Sequence, residues 1–385
     1  MSDFLIRRRL LRGLFAPLPA GVGLAALGRP VDATADYPAV LTGTPLTFPR
    51  DFGSHPDYRT EWWYLTAWLE TPLGSMGLQL TFFRSRTPFG RQNPSRLAAR
   101  QLYFAHAAIA VPANGKLIHA EQAWRGAAHT ARSSEVDTDI QIGRPNRRWT
   151  LQRQANDHYL ASVRDPLFDL QLQATPANAQ PIRQGDAGFS LKGALPRQAS
   201  YYYSRPQLDL HGSLTQKHGH NRKEAPATIA FTGKGWLDHE WSSELLDPRA
   251  QGWDWIGINF SDGRALMAFQ MRTRNGGLLR STARLINPDG SHEDLPVRFS
   301  ALKHWRSPRT NTKYPVSMRV QAGALDLRLE PLMPDQELDS RRSTGTIYWE
   351  GAVVVSAYSE KTNPGQSVIG RGYLELTGYS GKITL

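Results

Sequence analysis

The sequence predicts an all-β protein of two tandem antiparallel barrels that arose by internal duplication. Three observations predict it. Short apolar alternations are bounded by hairpin dipeptides, several segments recur in the same order along the chain, and 385 residues exceed the size at which one hydrophobic core usually stops growing. Composition agrees: with 40% apolar and 21% charged residues, 33 Gly and 26 Pro, this is a globular chain rich in turns.

Taken from the N-terminus, residues 1–35 read as an address, twin-arginine-like and cleavable. Arg7-Arg8-Arg9-Leu10-Leu11 precedes a mildly apolar run from Leu14 to Leu27, and Ala33-Thr34-Ala35 offers a small-residue cleavage site. Pro17, Pro19, Gly21 and Gly23 interrupt a stretch already too short to span a bilayer. The expectation is export, with a periplasmic or secreted mature chain beginning near Asp36. The absence of Cys removes both a disulfide framework and a lipid-modified N-terminal Cys, so the core alone must hold the fold.

Beyond residue 36, Asn114-Gly115, Asp262-Gly263, Asn275-Gly276 and Asp289-Gly290 mark hairpin turns. Helical periodicity is nearly absent, and 242–247 is the one place where a short helical turn is expected. The repeats carry the argument further. Trp62 to Leu69 matches Trp253 to Phe260; Gly77 to Arg84 matches Ala265 to Arg272; Ala107 to Gly115 matches Ala283 to Gly290; Phe168 to Leu172 matches Leu325 to Leu329; and Gly233 to Asp238 matches Gly370 to Glu375. The expected domains are 36–243 and 252–385 with a joint at 244–251. A unit of about eight up-and-down strands closes into a barrel with a central cavity for a small ligand.

Five aromatic-rich motifs, Glu61-Trp62-Trp63-Tyr64, Gly235-Trp236-Leu237-Asp238-His239-Glu240-Trp241, Gly252-Trp253-Asp254-Trp255, Tyr348-Trp349-Glu350-Gly351-Ala352-Val353 and Gly370 to Tyr379, stand in order along the chain. Together they resemble the AttH and carotenoid 1,2-hydratase (hydroxyneurosporene synthase) family, closest to its exported AttH type. The resemblance implies lipocalin-like barrels. It also implies one of two roles, since the family includes exported proteins associated with ABC transporters of the lipoprotein-release kind and enzymes that hydrate carotenoid double bonds, with distant fungal relatives that catalyse pericyclic cyclisations. No Gly-x-Ser-x-Gly elbow supports a serine hydrolase.

Candidate chemistry concentrates at 236–241. On a strand, Trp236, Asp238 and Glu240 share one face, and Leu237, His239 and Trp241 share the other. The second copy keeps an aromatic and one acid there but has no counterpart of His239 or Glu240, so chemistry is expected in the first. Hydration of a double bond needs an acid to protonate carbon and aromatic faces for the cation. Asp238, His239 or Glu240 fits the acid, and Trp236, Trp241, Trp253 and Trp255 the wall; the competing reading makes the charges salt bridges to Arg at the joint. Asp254 is a further acid, expected to point into an apolar layer, where burial raises its pKa unless it is paired. Trp62, Tyr64 and Trp68 form a mixed face that either lines a ligand cavity or buries the barrel-to-barrel contact, and Tyr203 lies in a Tyr201-Tyr202-Tyr203 run of the same ambiguity.

No metal or cofactor site is expected. His55 with Asp57, and His218 with His220 in a polar loop, complete no recognised ligand motif, and no phosphate-cradling or dinucleotide loop is present. The formal charge of +12 comes with no nucleic-acid-binding motif, so nucleic acid is excluded as a partner, while a basic surface suits peripheral contact with an anionic membrane. Two functions remain. The first is a binder or chaperone of an apolar lipid or terpenoid-like ligand serving an ABC permease or lipoprotein-handling system; the second is a cofactor-free hydratase, isomerase or cyclase acting on a polyene or other apolar substrate by acid catalysis.

Overall fold

In a computed structural model of the chain, residues 37–88, 95, 98–217, 227–244, 246–360 and 367–382 are described. The expected leader and the His218 and His220 loop lie outside them. The polypeptide forms two large antiparallel sheets, one of them barrel-like, consistent with two tandem barrels. From one edge, the first sheet orders its main strands Ile118–Arg125, Gln101–Ala110, Gly74–Arg86, Thr60–Thr71, Thr228–Glu244, Ala199–Gln216, Phe168–Thr175 and Tyr159–Arg164, continuing into three shorter strands. The second sheet repeats that order as His292–Leu295, Leu278–Ile286, Ala265–Thr273, Ala250–Phe260, Val368–Leu376, Thr346–Ala357, Leu325–Pro331, Lys313–Ala322 and Val297–Arg306.

The duplication holds down to single cross-strand pairs. Tyr64 faces Asp238 and Leu65 faces Leu237 in the first sheet, while their repeat partners Trp255 and Ile256 face Glu375 and Leu374 in the second. Turn chemistry follows the dipeptides: Gly115, Gly263, Gly276 and Gly290 all take positive φ, the left-handed conformation such hairpins need. The helical turn expected at 242–247 is absent among the described residues, because Ser242 to Glu244 extend the Asp238 strand; the 3-10 turns are Arg50–Phe52, Pro112–Asn114 and Pro145–Arg147.

Period-two geometry gives each central strand an inner and an outer face. The inner faces fill both barrels with apolar side chains, Trp63, Leu65, Leu78 and Leu237 in the first and Ile256, Ile258, Val353 and Leu374 in the second. The ligand cavity expected at the barrel centre is therefore displaced: the tryptophans and branched residues of the inner faces occupy that space. The outer faces of the same strands meet each other instead. Tyr64, Tyr202 and Trp236 of the first sheet pack with Trp255, Met267 and Phe269 of the second. Trp68 packs with Ala352 and Tyr373. The approach is close enough that a Cβ on Gly77 would stand 2.8 Å from that of Ala352.

Candidate functional site between the two sheets

The outer faces enclose a cavity of about 320 Å³, within the range of small-molecule sites. Both sheets line it. Trp62, Tyr64, Phe83, Trp253, Trp255 and Phe269 supply an aromatic wall, and Asp238, Glu240, Glu350 and Glu375 supply four carboxyl groups. Asp238, Glu240 and Glu350 are buried, and Glu375 is half-buried. Strand pairing explains their grouping: Glu350 sits directly opposite Glu375, and Ser204 occupies the position facing Asp238 in the first sheet. Like charges directly opposite are destabilising, so this pair does not ionise fully.

Asp238 is held on three sides. Trp236 Nε1 donates to its Oδ1 at 2.7 Å, Ser204 Oγ donates to Oδ1 at 2.5 Å, and Tyr202 donates to Oδ2 at 2.8 Å, itself receiving a bond from Trp255 Nε1 at 3.3 Å. Burial pushes the Asp238 pKa up to about 7 against those three bonds. Two of the donors are hydroxyls, which can turn and accept, so the shell serves either protonation state. Burial likewise raises Glu375 to about 8, opposed by Trp253 Nε1, which donates to it at 3.2 Å, and assisted by the negative charge of Glu240 and Asp238. Glu350 is raised well above the carboxylate range by burial and by Glu375. The Tyr64 and Tyr348 hydroxyls beside it oppose that rise. Glu240 differs in having a counter-charge, Lys192 Nζ at 2.9 Å.

At one side of the cavity His106 links the sheets. Its Nδ1 lies 2.8 Å from the Tyr348 hydroxyl and its Nε2 2.8 Å from Ser343 Oγ, which donates onward to Glu121. Burial, with His119 nearby, keeps His106 well below the usual imidazole range and so neutral. With Glu121 as the terminal acceptor, Nε2 carries the proton and Nδ1 accepts from Tyr348.

The structure divides the sequence candidates. Trp62, Tyr64, Asp238, Glu240, Trp253 and Trp255 line the cavity, and Trp236 supports it through Asp238. His239, Tyr203 and Trp241 do not. They belong to a separate buried network in which Glu61 accepts from His55 Nδ1 at 2.8 Å, His239 Nε2 at 2.9 Å and Arg84 Nε at 2.7 Å. Trp241 stacks on His55 at 3.6 Å, and Tyr203 lies 3.1 Å from His239 Nδ1. His55, Glu61 and His239 place donor atoms within 4.8 Å of one another, the composition of a metal site that the sequence did not suggest. The fit is poor. Arg84 already supplies the positive charge, and Asp51 occupies the far nitrogen of His55 at 3.1 Å. Although burial opposes it, the charge of Arg84 and bonds from His239 and His55 hold Glu61 well below its usual pKa, while burial depresses His239 to about 4.

Asp254 is also apart from the cavity. The expected apolar layer is instead polar at that point: Gln270 Nε2 donates to Asp254 at 2.6 Å, Arg272 Nε at 3.0 Å and Tyr379 at 3.1 Å. Burial raises its pKa, with the Arg272 charge opposing. Trp68 packs with Ala352 and Tyr373, its Nε1 donating to Glu70. Sequence reasoning passed over Lys192, Glu350, Glu375 and His106, and from the Tyr201-Tyr202-Tyr203 run it chose Tyr203 where Tyr202 lines the cavity. For Glu375 a signal existed, since the repeat aligns it with Asp238.

Residues 39–379 match the model of the AttH-like family. The chain belongs to the AttH-like family. A candidate AttH from Nitrosomonas europaea, known from a crystal structure, is 42% identical, with a TM-score of 0.78 over 89% of this chain and 99% of that one. Kievitone hydratase from Nectria haematococca shares the fold at 14% identity, with a TM-score of 0.63 over 90% of this chain and 97% of that one. CghA in complex with Sch210972 does so at 14% identity and 0.53, over 84% and 89%. No curated protein sequence matches the chain. In this AttH-like chain the two sheets thus share one cavity, and its acids come from both repeats rather than from the first alone.

Proposed function

We propose that this AttH-like protein is a cofactor-free acid catalyst that adds water to, or shifts, a carbon–carbon double bond of an apolar small molecule held between the two sheets. One observation carries the reading: Asp238, buried to a pKa of about 7, lines a cavity walled by aromatic rings. An acid poised near neutrality is suited to proton transfer. In the hydration case the alkene π pair takes the Asp238 proton to form a C–H bond. The faces of Trp62, Trp253 and Trp255 stabilise the cation, a water lone pair forms the C–O bond, and the proton lost by that water returns to the Asp238 carboxylate. A hydratase is among the distant structural neighbours; at 14% identity it supports only the fold.

The experiment is incubation of the protein with a lipid extract of its host in heavy-oxygen water, followed by mass spectrometry. A product carrying the heavy oxygen, absent with Asp238→Asn, supports hydration, and an isomer of unchanged mass supports the double-bond shift. An apolar compound that copurifies and is returned unaltered would instead make the chain a carrier, the role placed first from sequence. We further propose that the protein works outside the cytoplasm after export. N-terminal sequencing of the periplasmic fraction should give a start near Asp36, and an intact Met1 on cytoplasmic protein refutes it.

A further inference from the structure

We infer that the cavity between the sheets takes a ligand carrying a positive charge on an apolar frame, an organic ammonium ion. Of the four cavity carboxyls, Glu240 is paired with Lys192, and Arg84, which also lines the cavity, is engaged by Glu61 outside the acid group. Asp238, Glu350 and Glu375 have no cationic partner among the described residues. Their hydrogen bonds come from neutral Ser, Tyr and Trp donors. A buried acid without a counter-charge is costly.

The wall opposite supplies the other half of a cation site. Trp62, Tyr64, Trp253 and Trp255 face the same space, while the Phe269 ring already carries Lys192 Nζ at 5.0 Å from its centroid, and aromatic rings around a cavity bind quaternary ammonium groups through their negative faces. A metal ion is the poorer occupant. Among the described residues these acids do not bring three oxygens within 4.8 Å of one another, so the carboxyl groups, which a bound cation would draw into their ionised form, surround a volume rather than a point. A bulky, weakly hydrated cation matches that distribution, and so does a carbocation formed transiently during turnover. The inference concerns the cavity of the proposed reaction but rests on equilibrium binding.

The test is calorimetric titration of the full chain with phenylbutyl-trimethylammonium and with its neutral isostere, in which carbon replaces nitrogen. The cation is expected to bind tighter by roughly tenfold or more, the scale of a desolvated cation–π contact. Glu350→Gln, which keeps the shape, should remove most of that preference, and Glu375→Gln serves the same purpose if the first variant fails to fold. Equal affinity, preference for the neutral compound, no binding of either, or a preference that survives in the folded variants overturns the inference. None of these results touches the acid-catalysis reading, which fails on a different measurement: turnover that persists in Asp238→Asn.

Discussion

At the scale of single residues, two neighbours in sequence are assigned opposite tasks by strand geometry. Asp238 faces the cavity with its pKa near neutrality, while His239, one position on, faces the barrel interior and donates to Glu61. Substitution separates them. Asp238→Asn keeps the size and most hydrogen bonds of the side chain, so its melting temperature should stay close to that of the parent while turnover falls by about two to four orders of magnitude, the usual worth of a proton donor. His239→Ala should do the reverse. It removes a donor to a buried carboxylate, costing about 2–3 kcal/mol, and leaves turnover of the remaining folded protein nearly intact. Thermal melts and turnover on both variants decide this; a His239→Ala protein that is stable and inactive would place the chemistry on the wrong face.

Elements explain why the cavity lies between barrels rather than inside one. Each repeat turns one aromatic face outward, and neither face is coverable by its own barrel, so the two cover each other. Gly77 marks the tightest point of that contact, where an added Cβ would stand 2.8 Å from Ala352 Cβ. Gly77→Ala is therefore expected to cost about 1–3 kcal/mol through overpacking. Pairing it with Ala352→Gly makes room again, so the double variant should melt higher than the sum of the single losses predicts. Strict additivity in the melts would show that the two sheets do not press on each other there. Much of this level was legible in advance. The repeat alignment of Tyr64 with Trp255 and of Asp238 with Glu375 reappears as identical cross-strand register, because hydrophobic alternation and hairpin dipeptides are local signals. Which two outward faces would meet was not legible, since nothing local encodes it. For that reason Glu350, Lys192 and His106 were missed, Asp254, attractive by type, was placed at a site it does not reach, and Trp68 took the second of its two expected roles, burying the contact between sheets.

For the whole molecule, two buried networks of opposite electrostatic character give stability a limit on each side of neutrality. In the first barrel, Glu61 is held well below its ordinary value of 4.5 and His239 is lowered from 6.5 to about 4. The unfolded chain binds more protons than the native one at both groups, so their stabilising contribution is complete above pH 6.5 and is lost as pH falls through the unfolded His value toward acid. Between the sheets the sign reverses. Asp238 rises from 3.8 to about 7 and Glu375 from 4.5 to about 8, so here the native state binds the extra protons; this contribution is complete below the unfolded carboxylate values and is lost as pH rises toward about 8. Melting temperature against pH should therefore show a plateau or maximum on the acid side of neutrality, with an acid limb from Glu61 and His239 and an alkaline limb from the cavity acids, to which His55, lowered by burial but raised on balance by Asp51 and Glu61, adds. Glu375→Gln, which cannot ionise, should flatten the alkaline limb and leave the acid limb in place. His239→Gln, uncharged throughout, should flatten the part of the acid limb between pH 6.5 and 4 and leave the alkaline limb alone. Melts of the three proteins from pH 4 to 9 check this, and a single variant that altered both limbs would mean that the Glu61 network and the cavity acids titrate as one system.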